Sequence, residues 1–181
     1  MDDRYRTRMA RWRVPLGLGL GGLYLVFAQP TLGLLAGGSL IGLAGLGLRA
    51  YAAGCLDKNE RLAVDGPYAH TRNPLYLGSF LIGVGMIVAG RTWLLGVVFL
   101  VFFATVYIPV MQREADDLRR RFGSAYQQYA ARVPLLLPAG GQKMQGGERF
   151  RWSRYFKNRE YEAALGYAGA ILFLAIKIKL R

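Results

Sequence analysis

Cysteine and histidine are almost missing from this chain: Cys55 and His70 are the single examples of each in 181 residues. One cysteine excludes an internal disulfide. With one histidine beside it, the chain is poor in the three or four His, Cys or carboxylate ligands that a zinc site takes, so no resident metal is expected. Acidic residues are also scarce, 11 against 24 lysines and arginines, which leaves a net charge of +13. Short alternating apolar runs, the mark of half-buried strands, are lacking as well.

What the chain has instead is long apolar blocks, within a composition that is 53% hydrophobic. A block of about 20 apolar residues spans the hydrocarbon core of a bilayer, where only helices or closed barrels satisfy every backbone amide. Five spans are read: Val14 to Ala28, Thr31 to Leu48, Leu75 to Gly90, Trp93 to Met111 and Tyr161 to Leu180. The expected fold class is all-α, an integral membrane helical bundle of about five spans. It is expected to form one transmembrane domain over 1–181, with its motif-bearing core at 49–138 and a C-terminal interfacial segment and last helix at 148–181. The first and third spans fall slightly under the usual ~17 to 25 residues and need tilt, local thinning or flanking residues. Arg4, Arg6, Arg8, Arg11 and Arg13 ahead of the first span, with Val26-Phe27-Ala28 after it, imitate a cleavable leader. The segment is expected to be retained as a span.

The basic residues gather between apolar blocks: the five N-terminal arginines, then Lys58, Arg61 and Arg72, then a long run from Arg113 to Arg159. Alternate connections hold almost none. This is the positive-inside pattern rather than a nucleic-acid footprint, and it puts the N-terminus, the 49–74 loop and the 113–160 segment on the cytosolic side. The expected location is a bacterial inner membrane, crossed several times. Lys177, Lys179 and Arg181 then fall on the opposite side, unless the last helix is re-entrant or the side chains snorkel.

Glycines four apart (Gly17 and Gly21, Gly33 and Gly37, Gly38 and Gly42) let helix backbones approach closely, within one bundle or between two copies, so the oligomeric state stays open. Gly66-Pro67-Tyr68 is a turn signal, and Asn73-Pro74 reads as a helix start with Asn73 capping the free amides. After the fourth span the pattern turns amphipathic, with Leu118, Phe122, Tyr126 and Tyr129 on one face, Glu114 at its edge, and Asp116 and Asp117 pointing away. Gly123 is placed to interrupt that helix. Leu135 to Gly147 reads as a loop, and Phe150 to Lys157 as an interfacial belt of aromatic and basic residues.

Two segments carry the chemistry: Gly66-Pro67-Tyr68-Ala69-His70-Thr71-Arg72-Asn73-Pro74-Leu75-Tyr76-Leu77-Gly78, and Glu114 followed by Leu118, Phe122-Gly123, Tyr126, Tyr129 and Val133-Pro134. Over residues 60–138 they resemble the signature of the isoprenylcysteine carboxyl methyltransferase and phospholipid methyltransferase family. Asn73 stands where many members have His, and Ala115 where many have a second Glu. The resemblance implies S-adenosylmethionine as cofactor and methyl donor, bound from the cytosol, and a lipid-like or prenylated acceptor that arrives through the bilayer.

The resemblance also implies the site. Cofactor-binding residues are Tyr68, His70, Arg72, Asn73, Tyr76, Leu77, Gly78, Glu114 and Tyr126, with Arg72, Glu114 and His70 the catalytic candidates. Glu114 suits the donor's ammonium, Arg72 or the helix start at Asn73 suits its carboxylate, and the tyrosines suit adenine or the sulfonium. Each has a plainer reading. His70 is then a loop residue, Arg72 a lipid-phosphate contact, Glu114 an exposed first-turn residue, and Tyr126 and Tyr129 packing. Two other functions remain open: an NADPH-dependent membrane sterol-type reductase, and a non-catalytic transporter or scaffold.

Overall fold

The computed structural model describes residues 3–57, 61–138 and 150–180, and all secondary structure among them is helical. Seven helices follow one another: α1 (Asp3–Phe27), α2 (Leu32–Cys55), α3 (Pro74–Gly90), α4 (Trp93–Phe102), α5 (Ile108–Arg132), α6 (Trp152–Lys157) and α7 (Tyr161–Lys179). A 3-10 turn (Gly66–Ala69) precedes α3, and a π turn (Phe103–Tyr107) joins α4 to α5. Each expected span is helical. By length and apolarity, α2, the continuous helix Trp93–Arg132, and α7 are long enough to cross a membrane, while α3 is a shorter apolar helix. Helix α1 differs from expectation because its arginines are not a tail before the span; they lie on the same 25-residue helix.

Small residues set the centre of the bundle. A Cβ on Gly45 would stand 2.6 Å from the Gly78 carbonyl oxygen, and one on Gly38 would strike the Gly85 carbonyl and the Ala89 backbone. The glycines at 38 and 45 thus bring the backbones of α2 and α3 into contact, which larger side chains would prevent. Gly42 admits the ring of Tyr167 from α7, whose hydroxyl donates to the Ser39 carbonyl at 2.9 Å. Of the spaced glycines, Gly38 and Gly42 serve packing within the chain, whereas Gly21, Gly33 and Gly37 face open space.

The π turn follows from Pro109. Proline has no N–H for the Thr105 carbonyl four residues back. Tyr5 of α1 supplies the missing donor, its hydroxyl lying 2.9 Å from that oxygen. Gly123 breaks the helical dihedrals as expected, at φ 52° and ψ −125°.

At the far end of the bundle, α7 gives one of the three C-terminal cations, Lys177, a set of partners; Arg181 lies outside the described residues. Helix α7 is unbroken, and Lys177 Nζ donates to the carbonyls of Leu25 and Val26 at 3.0 and 2.8 Å. The last carbonyls of a helix lack intrahelical partners and carry partial negative charge. The ammonium satisfies both needs at the end of α1, so its position does not require a re-entrant helix.

Residues 135–138 of the expected loop are non-helical, and its glycines at 140, 141, 146 and 147 lie outside the described residues. The expected belt forms α6, with Trp152 and Phe156 exposed. Its Arg154 is instead buried and pairs with Asp57 at 3.0 Å, and Asn158 donates to the Ala53 and Leu56 carbonyls at the end of α2.

Candidate active site at the basic end of the bundle

The two motif segments meet at the end of the bundle that carries the arginines. Arg72 fixes the loop before α3 to the chain after α5: its N–H donates to the Pro134 carbonyl at 2.9 Å and its Nη1 to the Tyr126 hydroxyl at 3.1 Å. The Tyr129 hydroxyl donates to the Tyr68 carbonyl at 2.7 Å. Tyr126 and Tyr129 stack edge to face, both buried, with Leu118, Phe122 and Val133 in the same cluster and Leu62 and Val64 packed on it. The amphipathic face is therefore covered by the chain's own 62–64 segment. Burial raises the pKa of the Tyr68 and Tyr129 phenols well above the ordinary value, so both are neutral donors.

Two buried polar atoms of the loop before α3 have no partner: Arg72 Nε, beside Tyr126, and the Tyr68 hydroxyl, whose ring packs against Ala52 and Cys55 of α2. Buried donors left unpaired cost free energy, and a bound ligand is one way to satisfy them. Asn73 precedes α3 but does not cap it. Its side-chain amide donates to the Leu135 carbonyl at 2.9 Å, while its backbone N–H donates to the Thr71 hydroxyl oxygen at 3.2 Å. The Asn73 side chain is turned away because the 134–135 segment lies against it, which leaves the first amides of α3 without a side-chain cap.

A second polar group sits one turn into α3. Tyr76 donates to Glu114 Oε1 at 2.6 Å, and Arg13 Nη1 donates to the Tyr76 hydroxyl at 3.0 Å. Glu114 thus reaches across to α3 rather than joining the Leu118 to Tyr129 cluster. Asp116 points away from that cluster, toward α1, where it pairs with Arg6 at 2.5 Å. Asp117 is exposed, 3.9 Å from Arg120. Two of the five N-terminal arginines, Arg6 and Arg13, therefore make inward contacts in addition to any role in topology.

Below Tyr76 opens an apolar cavity of about 610 Å³ between α1, α3 and α4, walled by Gly21, Met86, Phe99 and Phe103 among others. Ser79 and Tyr107 are among its lining, and the Tyr107 ring meets that of Tyr76 edge to face at 5.5 Å.

The remaining motif residues are placed differently. Gly78 lies in the seam, where a Cβ would stand 2.6 Å from Arg49 Cγ, so glycine is required there for packing. Leu77 is half-buried on the first turn of α3. His70 is exposed at the end of the 3-10 turn, and only its backbone bonds, to Pro67. For His70→Ala the expected change in ligand affinity at this site is within about twofold, as for an exposed side chain without partners. Titration of the variant checks this; a tenfold loss would place His70 at the ligand.

Sequence reasoning passed over Arg49. It is the cation of the α2–α3 seam, with Nη1 donating to the Leu75 carbonyl at 3.2 Å and to Ser79 Oγ at 2.5 Å, and with a two-pronged pairing to Glu160. Its one signal was an arginine at the end of an otherwise apolar block. Among the described residues no three His, Cys, Asp or Glu side chains converge to hold a metal ion.

Comparison with known proteins bears on this end of the bundle. Residues 40–125, which include both Arg72 and Glu114, match the phospholipid methyltransferase family. A nickel-cobalt-cadmium resistance protein, NccN, of Alcaligenes xylosoxydans xylosoxydans is 29% identical over 143 residues, covering 74% of this chain and 65% of that protein. A cobalt-zinc-cadmium resistance protein, CzcN, of Cupriavidus metallidurans is 30% identical over 143 residues, or 74% of this chain and 64% of that one. A methanethiol S-methyltransferase of Crocosphaera subtropica is 39% identical over 79 residues, 42% of this chain and 29% of that one. The chain spans less than two thirds of the length of each of these relatives. No solved structure matches it.

Proposed function

We propose that this chain, which belongs through residues 40–125 to the phospholipid methyltransferase family, is an integral membrane methyltransferase. On this reading it transfers a methyl group from S-adenosylmethionine to an amphiphilic acceptor. The site faces the cytosol, since the arginine-rich segments collect at that end, and the membrane is a bacterial inner membrane. The observation that carries the proposal is the convergence of both motifs beside an apolar cavity, through the Arg72 to Tyr126 and Tyr76 to Glu114 hydrogen bonds.

The residues present suit the donor. Glu114 is a carboxylate for an ammonium, and Arg72, with Nε unpaired, serves a carboxylate together with the uncapped first amides of α3. The unpartnered Tyr68 hydroxyl is left for a polar group of the donor, and the buried Tyr126 hydroxyl steadies the Arg72 guanidinium. When bound, S-adenosylmethionine supplies a methyl group already activated by its sulfonium. The protein's part is to position the acceptor atom in line and keep water out, so no side chain has to supply a strong electrophile. An isoprenylcysteine carboxylate needs no base, whereas a phospholipid amine must first lose a proton. The methanethiol S-methyltransferase adds a thiol as a third kind of acceptor atom. The apolar cavity takes the acceptor's hydrocarbon part. The names of the two metal-resistance relatives suggest metal tolerance as the setting, with a membrane component as acceptor.

Calorimetric titration of the detergent-purified protein with S-adenosylhomocysteine and, separately, NADPH tests the reading before an acceptor is known. Saturable binding of S-adenosylhomocysteine alone is the expected result. Binding of NADPH alone would replace the proposal by a sterol-type reductase, and binding of neither by a non-catalytic membrane protein.

A further inference from the structure

Arg13 belongs to neither motif and lies outside the family-matched segment, yet it completes the polar group at the mouth of the cavity. Helical period explains the arrangement. Arg13 stands four residues before Gly17 on α1, Tyr76 three before Ser79 on α3, and Glu114 seven after Tyr107. Gly17, Ser79 and Tyr107 line the cavity. The three polar residues therefore stand one or two helical turns beyond one end of an open, almost entirely apolar cavity.

The guanidinium is poorly used by the protein itself. Nη1 donates to the Tyr76 hydroxyl at 3.0 Å, and the Glu114 carboxylate is 3.9 Å away, beyond hydrogen-bond distance. Glu114 already accepts a short bond from Tyr76. The rest of the guanidinium fork, whose geometry matches a carboxylate or phosphate, has no protein partner among the described residues, and the side chain is 38% exposed. A cation with spare donors at the polar end of an apolar chamber suits an amphiphile with an anionic group beside its tail.

We infer that Arg13 is a specificity-determining residue, holding the phosphate or carboxylate of an amphiphile whose tail fills the cavity between α1, α3 and α4. The inference rests on the methyltransferase reading for the ligand's fate as acceptor, but not for its binding. A neutral long-chain thiol or alcohol has the tail without the anion and binds more weakly.

The test is calorimetric titration in non-ionic detergent with dodecyl phosphate, N-dodecanoylglycine and dodecanol, each against protein-free micelles, for the native chain, R13Q and R13K. The native chain is expected to favour one or both anionic probes over dodecanol, and the preferred probe tells a phosphate site from a carboxylate site. In R13Q that preference falls about tenfold, the weight of one charge-assisted hydrogen bond, while R13K keeps part of it. Dodecanol binding is expected to hold within about twofold in both variants, as is the thermal midpoint. Equal binding of all three probes by the native chain would overturn the inference. So would a parallel loss of dodecanol and anion binding in R13Q with R13K unchanged from it, which is the pattern of a packing role. S-adenosylhomocysteine is titrated alongside. If it fails to bind while the Arg13-dependent preference persists, the methyltransferase reading falls and the anion site stands. If it binds and no preference appears, the anion site alone falls.

Discussion

Glu160→Ala is expected to destabilise the bundle by about 3 to 5 kcal/mol, the cost of leaving one member of a buried ion pair without the other. The carboxylate is 9% exposed and receives Nε and Nη2 of Arg49 at 2.9 Å each. Arg49 in turn is tied to the first two turns of α3 through Leu75 and Ser79. Three helices therefore depend on one guanidinium: α2 carries it, α3 supplies two acceptors, and the residue before α7 supplies its counter-charge. Removal of the carboxylate leaves a cation in a seam built of glycines, with no room for a compensating side chain. Thermal unfolding in detergent, followed by intrinsic fluorescence, measures the loss. Glu162→Ala is the control, because Glu162 pairs with Arg159 on the surface and its removal leaves the midpoint unmoved. Equal midpoints for the two variants would mean that water reaches the Arg49 pair and that it does not hold α7 in place.

Glu114→Gln is expected to weaken S-adenosylhomocysteine binding about 10- to 100-fold, the range that corresponds to losing a hydrogen bond to a charged group. Asp117→Asn is expected to stay within about twofold. The two carboxylates are three residues apart on one helix, so net charge and distance from the bilayer change almost equally in both variants. They differ in surroundings. Glu114 is held by the Tyr76 hydroxyl at the junction of α1, α3 and α5, whereas Asp117 has a single long contact with Arg120. Titration of both variants under one set of conditions reads the difference. The same loss in each would assign the effect to general electrostatics and remove Glu114 from the donor site.

The candidate site was legible in the sequence where local chemistry fixes structure. Gly66-Pro67 gives a turn, Pro74 a first helical residue, and Gly123 a break, because each restricts or frees its own dihedrals. The stripe of Leu118, Phe122, Tyr126 and Tyr129 was legible because burial repeats with the helical period. Asn73 was misread, since its capping tendency is a local preference and the Leu135 carbonyl, 62 residues away, competes for its amide more effectively. His70 was named for its place in the motif, and a motif position carries no information about exposure, which the fold sets at the end of the 3-10 turn.

The amino-acid sequence alone determined that this is a helical membrane protein, because long apolar blocks leave the backbone no other means of satisfying its hydrogen bonds in lipid. It also placed the starts of α2, α3, α4 and α7 to within a residue and the motifs that lie between them, though α1 begins well before its expected span. Only the tertiary structure decided that Arg13 joins Tyr76 and Glu114, that Arg49 meets Glu160, and that Lys177 closes the end of α1. These partners lie from 38 to 152 residues apart along the chain. Periodicity tells which side chains share a face, but the helix opposite that face is chosen by packing, here by glycines that let α2 and α3 touch and so fix the rotation of each helix about its axis.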